Sequence, residues 1–212
     1  MSAKTKPRKT KLKRWPLMPG QFETGDPYSP VAIVTLSSEI ELAPANRSLY
    51  SALGKLTTEN LGIERLLANV LANPNIRFIL VCGKDVQGHW PGQTLFSLHS
   101  KGIDSKQRVI GSKGAFPFIQ NISKKAISRF SKQVELVDLI GETSAEKIQS
   151  TASRLALRDP GSFGKPMIEV EYVKEKEEKQ KKAAKAKLPA HLSHIAGNVY
   201  LDLRKNLVIS KG

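Results

Sequence analysis

The 212-residue chain has a single cysteine, few aromatic residues (6%) and no apolar run near the roughly 20 residues that a membrane-spanning helix needs. Cys82 cannot close an intrachain disulfide, and its place at the end of an apolar stretch reads as a small buried hydrophobe in a reducing compartment. The basic N-terminus is not followed by the apolar segment of a secretory signal, so the expected location is the cytoplasm. No serine sits in a nucleophile elbow and no pair of carboxylates is marked out, which leaves hydrolase chemistry without support. Zinc-finger spacings, aromatic-studded RNA-binding strands and helix-turn-helix patterns are missing as well.

Acidic residues are absent from the first 14 positions, where Lys4, Lys6, Arg8, Lys9, Lys11, Lys13 and Arg14 supply seven positive charges. Without them 27 basic residues stand against 19 acidic ones, so the net charge of +15 falls to +8. Residues 1–14 are therefore expected to form a disordered basic tail, and nonspecific contact by that tail is the only nucleic-acid binding expected.

What is present is an alternation of short apolar runs and helical patterns. Trp15 to Pro30 is rich in proline and glycine and reads as an extended segment. Val31–Leu36 is a buried strand, Ser37–Thr57 has no clear period apart from a faint helical signal around Arg47–Leu53, and a helix opens at Thr58-Glu59-Asn60 and ends at Asn73-Pro74. Ile76–Cys82 is the most hydrophobic stretch and reads as a central strand buried on both faces. A helix over Gln93–Ser100, a short strand at Arg108–Ile110, a helix from Ser123 to Ser131, a strand at Val134–Ile140 and a helix capped by Thr143 or Ser144 complete the pattern up to Leu157. Four such alternations predict an α/β fold: a Rossmann-like, doubly wound, mainly parallel sheet with right-handed crossovers, spanning residues 15–173. Met167–Val173 alternates like an edge strand. Residues 174–190 read as a charged linker or helix and residues 191–212 as a β-hairpin extension, with Val199–Leu203 and Leu207–Ile209 as its strands.

The loop after the central strand, Gly83 to Gln93, leaves the carboxyl end of the sheet, where ligands bind in open α/β folds. It sets His89 beside Trp90 and between Gly88 and Gly92. His89 reads as a ligand or catalyst, or as a loop histidine making ordinary hydrogen bonds. Glu59 and Asn60 divide evenly between capping their helix and contacting a ligand. A second glycine-containing loop, Gly111 to Phe118, is expected at the same end of the sheet.

The stretches Ser29–Leu36, Thr58–Glu64, Asn73–Phe78, Cys82–Lys84, Gly88-His89, Gly92-Gln93, Gly111–Ala115 and Val137–Gly141 together resemble the A subunit of tetrahydromethanopterin S-methyltransferase, in the same order and over about Trp15 to Leu157. The resemblance implies a corrinoid protein. Its cofactor would be a cobamide (cobalamin or 5-hydroxybenzimidazolyl cobamide), with His89 as axial ligand to cobalt and Glu59, Asn60, Gly88, Trp90, Gly92, Gln93, Gly111, Lys113, Gly114, Ala115 and Pro117 around it. It also implies that cobalt takes a methyl group from methyl-tetrahydromethanopterin and that coenzyme M receives it, in company with other methyltransferase subunits or a methyl donor or acceptor protein. His89-Trp90-Pro91-Gly92 keeps the His-x-x-Gly half of the signature of other cobalamin-binding domains, but Gln87 stands where that signature has an aspartate. The expectation is that the usual partner of the imidazole is absent and that ligation is weaker. Family members of the sodium-pumping membrane complex end in a transmembrane helix, so a chain ending in a charged segment and hairpin is expected to be a soluble relative. A non-catalytic cobamide-binding or regulatory module with the same fold is the alternative.

Overall fold

The computed structural model describes residues 9, 10 and 15–168, together with the backbone of strands Val199–Asp202 and Leu207–Ser210. The chain divides into two units, residues 1–169 and 170–212.

The first unit is built on a five-stranded sheet. Its strands are β1 (Phe22–Thr24), β2 (Val31–Val34), β3 (Ala52–Gly54), β4 (Phe78–Gly83) and β5 (Glu135–Ile140), in the order β1-β3-β2-β4-β5. All pairings are parallel except that of β1 with β3. Every residue of β2 and β4 is buried, because helices cover both faces and leave no side to face water. Ile79 and Val81 of β4 enter one core with Ala32 and Val34, against helices α1 (Leu61–Ala72), α2 (Pro91–Lys101) and α3 (Lys124–Gln133). Phe78, Leu80 and Cys82 enter the other with Ile148, Ala152 and Leu155 of α4 (Ala145–Leu157). This two-sided alternation is why the central strand reads as one unbroken apolar run.

Among the parallel strands the spatial order β3-β2-β4-β5 reverses the chain order between β2 and β4. The crossovers leaving that point lie on opposite faces, which opens a crevice at the carboxyl ends of β2 and β4. The two strand ends are tied there: Ser37 Oγ donates to the Lys84 carbonyl (2.7 Å), and the Lys84 N–H donates to Ser38 Oγ (2.9 Å). Leu36, fully buried, takes a left-handed φ of 50° at this junction. Bulky residues rarely adopt that region, and such strain gathers at ligand sites.

Three expectations are corrected. Arg108–Ile110 is not a strand of the sheet. Arg108 and Val109 make only isolated bridges, to Phe118 and Ile103. β4 pairs directly with β5, from Phe78 opposite Glu135 to Gly83 opposite Ile140, so no opening exists between them. The remaining parallel strand is β3, inside the stretch Ser37–Thr57 that showed no period; three residues are too few to display one. Gly54 there is pressed by β1, since a Cβ would stand 2.2 Å from Phe22 Cβ. A 3-10 helix at Pro44–Leu49 fills the rest of that connection, and β1 lies in the segment expected to be merely extended. Finally, α2 starts at Pro91 rather than Gln93, because its first turn is capped from outside by Asp85.

Of the expected tail, Lys9 and Thr10 are described, and Thr10 exchanges two hydrogen bonds with Asn75 (2.9 and 3.0 Å). Of the expected edge strand only Met167 and Ile168 are described, with the Met167 N–H donating to the Leu71 carbonyl. The charged segment 174–190 lies outside the described residues. In the second unit Val199–Asp202 and Leu207–Ser210 pair antiparallel, Val199 opposite Ser210 and Asp202 opposite Leu207, as a hairpin requires.

Candidate functional site

The chain leaves β4 at Gly83 and enters α2 at Pro91 through a compact turn. Asp85 organises it. Its Oδ1 accepts from the Val86 (3.1 Å) and Gly92 (3.0 Å) N–H groups and its Oδ2 from Gln93 (3.0 Å), placing a carboxylate on the positive end of α2. The Trp90 N–H closes on the Val86 carbonyl at 2.7 Å, and Trp90 sits in the left-handed region at φ 47°. Gly88, at φ 85° with nothing within 4 Å of a notional Cβ, supplies the other unusual backbone conformation.

This turn carries His89 to Glu59, the residue just before the N-cap of α1. The imidazole Nδ1 lies 2.8 Å from Glu59 Oε2, and the other carboxylate oxygen, Oε1, accepts from the Phe116 N–H at 2.8 Å. Glu59 is 1% exposed, whereas the His89 side chain is 55% exposed. A carboxylate can only accept, so the ring proton belongs on Nδ1 and the lone pair on Nε2, which has no hydrogen-bond partner among the described residues. Burial works to raise the Glu59 carboxyl, but hydrogen bonds from its own backbone and Phe116 N–H groups and from His89 outweigh it and hold the carboxyl below its usual range. The carboxylate is therefore a fixed anion that orients the ring.

The loop Gly111–Phe118 locks onto this pair. The Ala115 N–H donates to the Gly88 carbonyl (3.1 Å), and Gly114 packs so closely that a Cβ would stand 2.5 Å from the His89 carbonyl and 2.8 Å from Glu59 Cγ. Gln93 clasps the loop from α2: its Nε2 donates to the Gly111 carbonyl (3.0 Å) and its Oε1 accepts from the Lys113 N–H (2.8 Å). Around the exposed imidazole stand Trp90 (37% exposed), Phe116 (59%) and Ile110 (44%).

The structure thus brings Glu59, Gly88, His89, Gly114 and Ala115 into contact, with Gln93, Gly111 and Lys113 adjoining. Asn60 caps α1, its Oδ1 accepting from the Leu61 N–H at 2.6 Å. Gly92 is packed against Asp85, Ile140 and Leu36, so its missing side chain serves helix packing rather than access for a ligand. Pro117 is buried, and its carbonyl accepts from the Val109 N–H.

Two features escaped the sequence reading. The partner of the imidazole is not absent: Glu59, 30 residues upstream, holds Nδ1. Asp85 gave no signal because its cap reaches seven and eight residues ahead, beyond the usual capping spacings.

Among the described residues no group of three or more His, Cys, Asp or Glu could hold a bare metal ion. A lone exposed imidazole suits a metal whose other positions are already filled by a macrocycle, and the apolar rim suits a flat organic ligand. The site residues fit a cobamide in that sense. A separate cavity of about 540 Å³, lined by Trp15, Phe22, Leu56, Leu61, Arg65 and Asn69 among others, lies between α1, the β2–β3 side of the sheet and the N-terminal segment, and includes none of the His89 loop.

Comparison with known proteins agrees with this geometry. A sequence model of the family MtrA, the A subunit of tetrahydromethanopterin S-methyltransferase, matches residues 8–181. The first of two A subunits of that enzyme from Methanothermobacter thermautotrophicus is 44% identical over 174 residues, covering 81% of this chain and 73% of the relative. The second A subunit from Methanothermobacter marburgensis is 46% identical over 156 residues, 73% of this chain and 84% of the relative. The A subunit of a putative methyltransferase named Mtx, from Methanosarcina acetivorans, is 46% identical over 141 residues, 66% of this chain and 70% of the relative. Among the described residues no helix is long and apolar enough to cross a membrane. With the match spanning the whole sheet and both loops of the His89 site, the chain belongs to the MtrA family, that of the A subunit of tetrahydromethanopterin S-methyltransferase.

Proposed function

We propose that this chain is a cobamide-binding carrier in a methyl-transfer system, with His89 as the axial ligand to cobalt. The observation that carries the reading is the Glu59–His89 pair: a buried carboxylate on Nδ1 and an exposed Nε2 lone pair at the carboxyl end of the central strand. When bound, the cobamide supplies a cobalt centre able to carry a methyl group between a donor and an acceptor.

The rest is the work of the chain's own residues. Glu59 fixes the ring tautomer, raises the basicity of Nε2 and holds the ring orientation against rotation. Phe116 N–H and the close packing of Gly114 fix Glu59 in turn. Trp90, Phe116 and Ile110 offer apolar surface to a corrin, and Gly88 leaves its approach open. Because ligation needs the unprotonated Nε2, a proton arriving there competes with the metal, and the adjacent carboxylate stabilises the resulting imidazolium. The pair is therefore built both to ligate and to release. The methyl donor and acceptor read from the family are methyl-tetrahydromethanopterin and coenzyme M, presented by other subunits or by a donor or acceptor protein in the cytoplasm.

The test is to mix the purified protein with hydroxocobalamin and record absorption and the cobalt(II) electron-spin spectrum. One protein imidazole nitrogen should split the signal, and His89→Ala should abolish that splitting while leaving part of the binding. Unchanged splitting in His89→Ala refutes the assignment. Failure of the wild type to bind any cobamide refutes the carrier reading.

A further inference from the structure

The chain between α2 and the end of α3 is lopsided in charge. From Lys101 to Lys132 it has eight basic residues and one acid, Asp104. Asp104 is committed to its own turn, its Oδ1 accepting from the Lys106 (2.8 Å) and Arg108 (2.9 Å) N–H groups. Lys101, Lys106, Lys113, Lys124, Lys125 and Lys132 are exposed. None of them forms an ion pair among the described residues, where the pairs are Lys9–Asp159, Arg47–Glu23, Lys55–Glu39, His89–Glu59, Lys147–Glu142 and Arg158–Glu135. The rest of the domain matches cations with acids; this part leaves them to repel one another.

These cations are connected in space to the His89 site. α2 and α3 pack through His99 on Phe130 (5.6 Å between ring centroids) and through Ser131 Oγ donating to the His99 carbonyl (2.8 Å). Lys101 Nζ lies against Gly111, 3.0 Å from where a Cβ would stand, and the loop from Gly111 runs directly to Glu59 and His89. At this border the exposed apolar groups Ile110, Phe116 and Trp90 stand together. Apolar and aromatic anchors framed by unpaired cations have the make-up of a protein-binding surface. Nucleic acid is disfavoured because the exposed positions of α3 are Lys124, Lys125, Ser128 and Lys132, with no aromatic residue among them on which a base could stack.

We propose that the face formed by the C-terminal end of α2, the 102–123 loop and α3 docks an acidic protein surface, that of the partner which exchanges a group at His89. The role of the partner rests on the reading of His89 given above; the charge argument does not. Electrostatic steering then brings the partner to the apolar rim with the imidazole at its edge.

The experiment uses the full chain and two probes, a glutamate–tyrosine copolymer and a single-stranded RNA, in about 0.15 M salt so that diffuse attraction is screened. Binding is compared for the wild type, the face variant K106E/K124E/K125E/K132E and the tail variant K4E/K6E/R8E, each with its thermal midpoint measured. The face variant should keep its midpoint and lose about tenfold in affinity for the copolymer, the tail variant should keep that affinity, and RNA should bind more weakly than the copolymer. No copolymer binding by the wild type, loss confined to the tail variant, or RNA binding at least as tight through the same face overturns the proposal. No corrinoid takes part, so such a failure leaves the His89 assignment standing, and failure of hydroxocobalamin binding leaves this one standing.

Discussion

Replacing Glu59 by glutamine tests the oriented imidazole without changing the shape of the site. In the native protein Oε2 faces Nδ1–H of His89 and Oε1 faces the Phe116 N–H, both at 2.8 Å, so both partners are donors and both carboxylate oxygens accept. An amide has one acceptor and one donor end. If its oxygen keeps the Phe116 N–H, its NH2 faces Nδ1, which must then accept, and the ring proton moves to Nε2, the atom that should ligate. If the amide flips, NH2 opposes the Phe116 N–H and a donor is left facing a donor at a carboxylate site that is 1% exposed. Either arrangement costs a hydrogen bond. The loss of a carboxylate behind a ligating histidine typically lowers metal affinity about 10- to 100-fold, or about 1.4–2.7 kcal/mol. The assay is a hydroxocobalamin titration, joined to a nitrogen-15 spectrum of the His89 ring in the protein without corrinoid. Glu59→Gln should show the Nε2–H tautomer and bind through imidazole about 10-fold or more weakly. A ring that keeps Nδ1–H together with an unchanged affinity would refute the claim that Glu59 sets the tautomer.

Gly114→Ala should disturb both members of the pair at once, because its Cβ would meet the His89 carbonyl at 2.5 Å and Glu59 Cγ at 2.8 Å. A destabilisation of about 1–3 kcal/mol in urea unfolding is expected, with weaker cobamide binding. Glu64, 2% exposed, accepts from the Gln120 and Asn121 N–H groups and from Asn121 Nδ2. Glu64→Ala leaves those donors without their acceptor and should cost about 1–3 kcal/mol, read in the same unfolding experiment. Burial, then the nearby Glu142 charge, push the Cys82 thiol up to about 12. At pH 8 it should react with iodoacetamide only when the protein unfolds; rapid alkylation of the native protein would contradict its burial.

The fold was legible wherever a run was long enough to show a period. β4 and α1 could be read because six buried strand residues and twelve helical ones carry their pattern through. β3 and β1, three residues each, could not, and Arg108–Ile110 misled because three residues of the right type need a vacant sheet edge to become a strand. Local propensity reports what a segment can do; the pairing of β4 with β5 decided that this one had no place in the sheet. For the site, the histidine loop was legible from its glycines and its position after the central strand. Its chemistry was not, since the group that defines it comes from the start of another helix.

That separation bears on how the site behaves with pH. The Glu59 carboxyl is held below its usual value of 4.5 in the folded chain, burial acting against it and the N–H groups of Glu59 and Phe116 and the His89 ring acting for it. The unfolded chain therefore binds this proton more readily than the folded one, and stability rises with pH through the interval between the two values. The contribution is complete above about 4.5 and disappears as pH falls through the lower folded value. Because Glu59 ties α1 to both the His89 turn and the 111–118 loop, that interval should also be where the two loops separate. Denaturant unfolding at a series of pH values should show the wild type losing stability below about 4.5 and Glu59→Gln losing less. Parallel curves for the two proteins would mean that the carboxylate is not what couples the loops to the helix.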